Sequence, residues 1–288
     1  MTLCIAAKCD HLGQDAIVMA SDLRIEDDVS GSETACKQAP LIPGWYFMYA
    51  GIQARAAQLV ISVREHLETN PLGYGHITKT FKEAAREHRE KLVDEYVHSQ
   101  IARSYAWLLS EGHKVLPQEY YAQLIQYVSA VRFDAQLIVC GFSNESAVIC
   151  LIDESRGEPV ARPIENFAAI GSGSTVAESV LHQRVHRMDT PLKQALYHIY
   201  EAKRLGEAAP GVGHQTTIRI LLADGRTAFL TEAGVSFVQR CYDRYAPKPL
   251  EGVEDWEEST DSFIEMQAAR ATPQLTTREN SSQPPSPE

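Results

Sequence analysis

Short apolar runs separated by turn signals dominate the first fifty residues. Residues 2–7 and 16–20 are rich in Ile, Val and Ala, and the turn-prone residues 9–13 lie between them. This pattern predicts a hairpin of two buried β-strands. A third strand-like run, 45–50, ends at Gly51 and precedes residues 53–68, where apolar side chains recur at helical spacing. We therefore expect a strand, a tight glycine turn and an amphipathic helix.

The middle of the chain has a helical pattern, and strands return after it. Residues 77–109 are charged and almost free of Gly and Pro, and Pro117 opens a second helical stretch that reaches about residue 131. The later predicted elements are strands at 135–140, 147–152 and 167–170, helices at 175–187 and 191–205, and strands at 216–222 and 227–230.

The order of these elements predicts an α+β fold. Loops of hairpin length between neighbouring strands favour antiparallel sheets with segregated helices over a βαβ repeat. We expect one domain over residues 1–245, with a helical arm inserted at about 76–131. Beyond about Ala246 the composition shifts to Pro, Ser, Thr, Gln and acidic residues. Such a segment buries too little apolar area to fold, so residues 246–288 are predicted to be a disordered tail.

Charge and composition argue against several classes of protein. The 288-residue chain has a formal net charge of -11, and its dense basic segment at 79–91 is interleaved with glutamates, which argues against a nucleic-acid partner. An apolar run of membrane-spanning length and a secretory leader are both lacking from the pattern, so a cytoplasmic protein is expected. The six cysteines contain no C-x-x-C pair, which argues against a zinc ribbon.

Thr2 is the first candidate for chemistry. Removal of Met1 would leave Thr2 with both a hydroxyl and a free α-amine. Because an α-amine has a reference pKa near 8, on the order of a tenth of it is neutral at pH 7 and can accept the hydroxyl proton. One residue can then be both nucleophile and base. Many cytosolic proteins also begin with Met-Thr and use neither group.

Three further segments of the sequence carry polar groups that could take part in chemistry. Asp22 and Arg24 point to the same side of an extended chain, although a surface ion pair has the same pattern. Lys37 is a cation that could stabilise a threonine alkoxide, or a solvated loop lysine. Residues 171–175, Gly-Ser-Gly-Ser-Thr, expose N–H groups before a helix and could hold an anion or an oxyanion. They do not form a dinucleotide-binding fingerprint, because Val176 stands where its third glycine should be.

Two histidines could bind a metal ion. His182 and His186 are four residues apart on a predicted helix, a spacing that can chelate. The pair lacks the Glu of an H-E-x-x-H motif and a third ligand nearby, so surface histidines are favoured. We expect neither a metal nor a cofactor.

In their order and spacing, these segments resemble the proteasome β-subunit family, which includes the bacterial HslV-type peptidases. The chain begins T-x-C-I-A-A at Thr2 and continues I-V-M-A-S-D-L-R at 17–24. Lys37 precedes Gly51 of the A-G turn by fourteen residues, and G-S-G-S at 171–174 precedes a helix. The likeness covers residues from Thr2 to about 68 and from about 135 to 222.

The resemblance implies the four-layer αββα sandwich of the N-terminal-nucleophile (Ntn) hydrolases, built from two antiparallel sheets. It implies that Thr2 is the nucleophile after Met1 removal and that Asp22 orients Lys37, with Arg24 beside it. It places the oxyanion hole at the Gly51 N–H.

The resemblance also implies that Ser172 lies near the terminal amine. The residues that it assigns to the S1 substrate pocket are Ile25, Ala35, Tyr49 and Gln53.

The activity implied is that of a threonine-type endopeptidase of a self-compartmentalising complex. Its substrates would be peptides or unfolded proteins, its subunits would form homo-oligomeric rings, and an ATP-driven unfoldase of the AAA+ class would be a candidate partner. Three departures stand out. Residues 205–211 lack the family's D-x-x-S element, and the separation between Asp22 and Lys37 is one residue shorter than usual. The arm at about 76–131 is longer than the corresponding family helices.

Three alternatives stay open on the sequence alone. A catalytically silent ring or scaffold subunit would account for the loss of the D-x-x-S element. An Ntn amidohydrolase acting on a small amide would keep the chemistry without the chamber. An anion- or nucleotide-binding protein would use residues 171–175.

Overall fold

The computed structural model describes residues 2–26, 31–32, 36–67, 74–132, 134–155 and 158–246. The chain divides into two units, Met1–Tyr245 and Ala246–Glu288, and every element named below belongs to the first. The disordered tail predicted at 246–288 lies outside the described residues, apart from Ala246.

Twelve strands and eight α-helices are formed by the described residues. The strands are β1 Leu3–His11, β2 Gln14–Asp22, β3 Ile25–Glu26, β4 Gly31–Ser32, β5 Gln38–Ile42, β6 Trp45–Gly51, β7 Ala135–Ser143, β8 Ser146–Ser155, β9 Glu158–Ile164, β10 Phe167–Gly171, β11 Thr216–Leu222 and β12 Thr227–Phe229. The helices are α1 Gln53–Leu67, α2 Tyr74–Ile101, α3 Tyr105–Trp107, α4 His113–Val115, α5 Gln118–Ala130, α6 Ser174–Gln183, α7 Leu192–Gly206 and α8 Glu232–Tyr245, with a π-helical turn Leu108–Gly112 between α3 and α4.

The strands form two five-stranded antiparallel sheets and a short β3–β4 pair. The first sheet has the order β10-β1-β2-β11-β12 and the second β5-β6-β7-β8-β9. Each described pairing within these sheets is antiparallel. The α+β class predicted from the sequence is confirmed.

Alternation along β1 shows how the sheets and helices pack. Leu3, Ile5 and Ala7 belong to a core shared with helices α6, α7 and α8, whereas Cys4 and Ala6 belong to the core between the two sheets. Successive side chains of a strand point to opposite faces, so β1 is buried on both sides. A third core joins the other face of the second sheet to α1 and the beginning of α2. This packing is compatible with the expected sandwich.

The predicted helical arm divides into two parts. Ile77 and Phe81, near the start of α2, are fully buried against α1 and the second sheet. Val93 and Val97, further along α2, pack instead with side chains from the π-helical turn and α5 in a separate small core. Among the described helices, none is both long enough and apolar enough to cross a bilayer.

Several elements were not predicted from the sequence, among them β3, β4, β5, β9 and α8. Strands β5 and β9 lie at the edges of the second sheet and contain prolines, which interrupt the strand pattern but are tolerated where no neighbour needs the N–H group. Helix α8 packs only one stripe on the first core, through Val235, Val238 and Tyr242.

The helix predicted at 175–187 was too long. Helix α6 ends at Gln183, and Val185 has a φ of 52°, a left-handed conformation that does not continue an α-helix.

Close packing of Gly141 against Trp45 generates a stability prediction. A Cβ atom at Gly141, near the end of β7, would overlap the Trp45 ring. We expect Gly141→Ala to lower the free energy of unfolding by about 1–3 kcal/mol, because the ring must move within a packed core. Urea denaturation measures this change. Gly75→Ala is the matched control, since nothing lies within 4 Å of its Cβ position; equal midpoints for both variants would contradict the packing described.

Candidate active site

The β1–β2 hairpin brings the beginning of the described chain to the end of β2. Cys4 pairs with Ser21, so Thr2 and Leu3 lie beside Asp22 at the same end of the first sheet. Asp22 is fully buried and Thr2 is 4% exposed. Lys37, one residue before β5, is also buried and reaches the same place. The cluster is therefore assembled from the residue before β1, the last residue of β2 in the first sheet and the residue before β5 of the second sheet.

Three functional groups are in mutual contact. The Thr2 hydroxyl donates to Asp22 Oδ1 at 2.5 Å, and Lys37 Nζ donates to the same carboxylate oxygen at 2.7 Å. Lys37 Nζ also donates to Thr2 Oγ1. An ammonium on the hydroxyl oxygen stabilises negative charge that develops there, so the arrangement favours formation of an alkoxide.

The Asp22 carboxylate accepts three further hydrogen bonds from backbone groups. Leu3 N–H donates to Oδ1 at 2.9 Å, while Arg24 N–H and Gly213 N–H donate to Oδ2 at 3.2 and 3.1 Å. Burial raises the pKa of Asp22, but the hydrogen bonds from Leu3, Lys37 and Thr2 outweigh it and hold this pKa below its ordinary value. Asp22 is therefore an anion at neutral pH.

A cavity opens beside the Thr2 side chain. Its volume is about 380 Å³. The residues that line it are Thr2, Ala50, Gly51, Asp134, Ala135, Gln136, Glu154, Gly171 and Ser172. Gly51 and Ser172, two of the predicted site residues, thus border the same space as the predicted nucleophile. Small and polar groups next to a hydroxyl leave room for a carbonyl carbon and its substituents.

Two glycines shape this cavity. Gly51, the last residue of β6, has a φ of 96°, and Gly171, the last residue of β10, has a φ of 95°. A Cβ atom at Gly171 would overlap the Thr2 carbonyl oxygen. Ser172 follows and its hydroxyl contacts Thr2 O at 3.4 Å and Pro210 O at 3.1 Å. Only glycine adopts this conformation without strain and allows such close approach.

The other predicted site residues lie at different distances from the cluster. Arg24 bonds Asp22 through its backbone N–H. Among the described residues, the cavity lining includes neither Tyr49, which is half-buried, nor Gln53, which is exposed at the start of α1. Ala35 lies outside the described residues, and Ile25 is described only as part of β3.

The two histidines that were considered as a metal pair are not on one helix. His182 is exposed on α6, whereas His186 lies beyond its end and is buried. The His186 ring contacts Lys8 O at 2.9 Å through Nε2 and His198 Nδ1 at 3.3 Å through Nδ1. The expectation that both are surface histidines is therefore wrong for His186. Within the described ranges, no group of three or more His, Cys, Asp or Glu side chains could hold a metal ion.

The sequence did not reveal Gly213 as part of the site. Its N–H reaches Asp22 from a loop 191 residues away along the chain. A backbone donor carries no side-chain signal, although the Gly-Val-Gly run at 211–213 marks a segment able to approach other backbone closely.

No protein-family model matches this chain, and no curated protein matches it.

The buried Asp22 carboxylate generates a pH prediction. We expect Asp22→Asn to lower the free energy of unfolding at pH 7 by about 3 kcal/mol, because it leaves the Lys37 ammonium buried without a counter-charge. Since the folded-state pKa of Asp22 is depressed, its ionic contribution is complete above the unfolded pKa of about 3.9 and is lost as the pH falls through the folded value. Urea denaturation of the wild type and Asp22→Asn at pH 7 and pH 3 measures the loss of stability at neutral pH and its decrease at low pH.

The matched control is Asp243→Asn, at an exposed position of α8, which should leave stability unchanged. An Asp22→Asn protein as stable as the wild type at pH 7, or a stability difference equal at both pH values, would contradict this account of Asp22.

Proposed function

We propose that this chain is a threonine-type Ntn hydrolase that cleaves peptide bonds, with Thr2 as nucleophile after removal of Met1. The observation that carries the proposal is the contact of the Thr2 hydroxyl with both Lys37 and Asp22 at the edge of an open cavity. A buried hydroxyl held between an ammonium and a carboxylate is the arrangement expected of an activated nucleophile.

Each group has a defined role in the proposed reaction. The neutral α-amine of processed Thr2 takes the hydroxyl proton as Oγ1 bonds the substrate carbonyl carbon. Lys37 stabilises the negative charge on Oγ1, and Asp22 holds Lys37 in place. Gly51 N–H stabilises the tetrahedral oxyanion. The protonated α-amine of Thr2 then gives this proton to the leaving amine as the C–N bond breaks. Water hydrolyses the resulting ester of Thr2.

The layers of the fold support this assignment. Helices α6 and α7 pack on one sheet, α1 and α2 pack on the other, and the two sheets share a core, which is compatible with the αββα sandwich of the Ntn hydrolases. Assembly into rings, peptide or unfolded-protein substrates and an ATP-driven unfoldase partner belong to the proposal through the resemblance to proteasome β subunits.

A catalytically silent ring subunit is the second candidate. It is favoured by one observation: residues 205–211, which lie where the family carries its D-x-x-S element, read Leu-Gly-Glu-Ala-Ala-Pro-Gly. Ser172, which would contact the terminal amine, donates to Pro210 O in this loop instead of bonding an Asp or Ser side chain. The two candidates differ in whether Thr2 reacts.

Covalent labelling tests the nucleophile. A peptide epoxyketone bonds both the hydroxyl and the amine of an N-terminal threonine, so intact mass spectrometry should show loss of Met1 and gain of one inhibitor. Thr2→Ala should still lose Met1 but gain no inhibitor, and its peptide hydrolysis should fall by at least about 10³-fold. Thr2→Ser should keep the adduct because it keeps both groups.

Thr80→Ala is the matched control, at a buried threonine of α2 outside the candidate site, and it should be labelled like the wild type. Processed wild-type protein that gains no inhibitor would sink the peptidase proposal and favour the silent subunit. Retention of Met1 in protein from its native cell would favour the silent subunit as well.

A further inference from the structure

A second buried lysine lies behind the candidate site. Lys203, in the last turn of α7, has a side chain with no exposed surface. A buried ammonium is strongly unfavourable unless its charge is paired and its protons are bonded. The position of this group therefore depends on fixed partners.

All three protons of the Lys203 ammonium have acceptors. Nζ donates to Glu207 Oε1 at 2.5 Å, to Gly213 O at 2.8 Å and to His214 O at 2.9 Å. An ammonium has three donors, so this set is complete. Lys203 thereby ties the end of α7 to the two consecutive carbonyls that precede β11.

Glu207 also connects the two ends of the loop from 207 to 214. Its Oε2 accepts from Arg204 Nη1 at 2.6 Å and contacts His214 Nδ1 at 2.9 Å. The loop from 207 to 214 is thus clamped at both ends by a single ion pair, in which the Lys203 and Glu207 side chains are 0% and 6% exposed.

Gly213 is the residue at which this clamp meets the candidate site. Its carbonyl accepts from Lys203, and its N–H donates to Asp22 Oδ2 at 3.1 Å. A Cβ atom at Gly213 would lie 2.7 Å from Arg24 Cβ, so Gly213 packs closely on the segment that follows Asp22. Gly213 therefore links the Lys203 ammonium to the Asp22 carboxylate through a single residue.

We propose that Lys203 is a positioning residue for the Thr2–Lys37–Asp22 cluster: by holding the Gly213 carbonyl it keeps the Gly213 N–H on Asp22. Its role in catalysis rests on the proposed function, whereas its effect on the ionisation of Asp22 does not. In this chain, the ion pair between Lys203 and Glu207 fixes the position of Gly213 in a loop that lacks the D-x-x-S element.

Few charged or titratable groups of the described residues lie around Asp22 and Lys203. Lys37 and Cys4 lie beside Asp22, and burial raises the pKa of the Cys4 thiol to about 12, so it is neutral. Arg204, Glu207 and His214 surround Lys203, and the charges of Lys203 and Asp22 also act on each other.

The experiment replaces Lys203 and follows Asp22 directly. In Lys203→Met the Gly213 N–H should leave Asp22, and loss of a hydrogen bond to a charged group should raise the apparent pKa of Asp22 by about one pH unit. Carboxyl ¹³C NMR of aspartate-labelled protein, assigned with Asp22→Asn, measures this titration.

Matched variants keep the test decisive. Lys193→Met, at an exposed lysine of the same helix, should titrate like the wild type. Lys203→Met/Glu207→Gln removes both charges of the pair and should raise the apparent pKa of Asp22 as the single variant does, even if the single variant does not fold.

An Asp22 that titrates as in the wild type, in either folded Lys203 variant, would overturn the proposal. Failure of both variants to fold would also overturn it, because Lys203 would then serve stability alone. Absence of hydrolysis and labelling in the wild type would instead count against the proposed function, and the NMR titration would still decide the role of Lys203.

Discussion

The buried carboxylate of Asp22 is the constraint on which the candidate site depends. A carboxylate away from water is stable only if its oxygens are well bonded, and here five donors surround it. Those donors come from Thr2 and the first residue of β1, from the second residue after β2, from the residue before β5 and from the loop before β11. Satisfying one charge therefore fixes the relative positions of segments from both sheets.

The rest of the fold supplies rigid supports for this convergence. The β1–β2 register sets the distance from Thr2 to Asp22, and β1 is held by cores on both of its faces. Beside the cavity, Gly171 adopts a left-handed conformation, and because glycine has no side chain it leaves room for Thr2. Packing that is dense on all sides resists small shifts, which is what a site of hydrogen-bonded groups requires.

The elements and residues with strong local signals could be predicted from the sequence. Strands β1, β2, β7 and β8 are buried on both faces, so they appear as continuous apolar runs, whereas edge strands β5 and β9 carry prolines and were missed. The spacing of Thr2, Asp22, Lys37, Gly51 and Ser172 identified a group that the fold brings together. Gly213 and Lys203 could not be identified, because a backbone donor and its support depend on long-range packing.

The near-complete burial of Thr2 has a stereochemical consequence. Its hydroxyl is flanked by Lys37 and Asp22, so in the proposed reaction a carbonyl reaches Oγ1 from the cavity bordered by Gly51 and Ser172. An extended L-peptide entering there with its oxygen towards Gly51 offers one prochiral face of that carbonyl. A residue of opposite chirality would have to reverse its side chain or turn that face away, so the proposed reaction would be enantioselective.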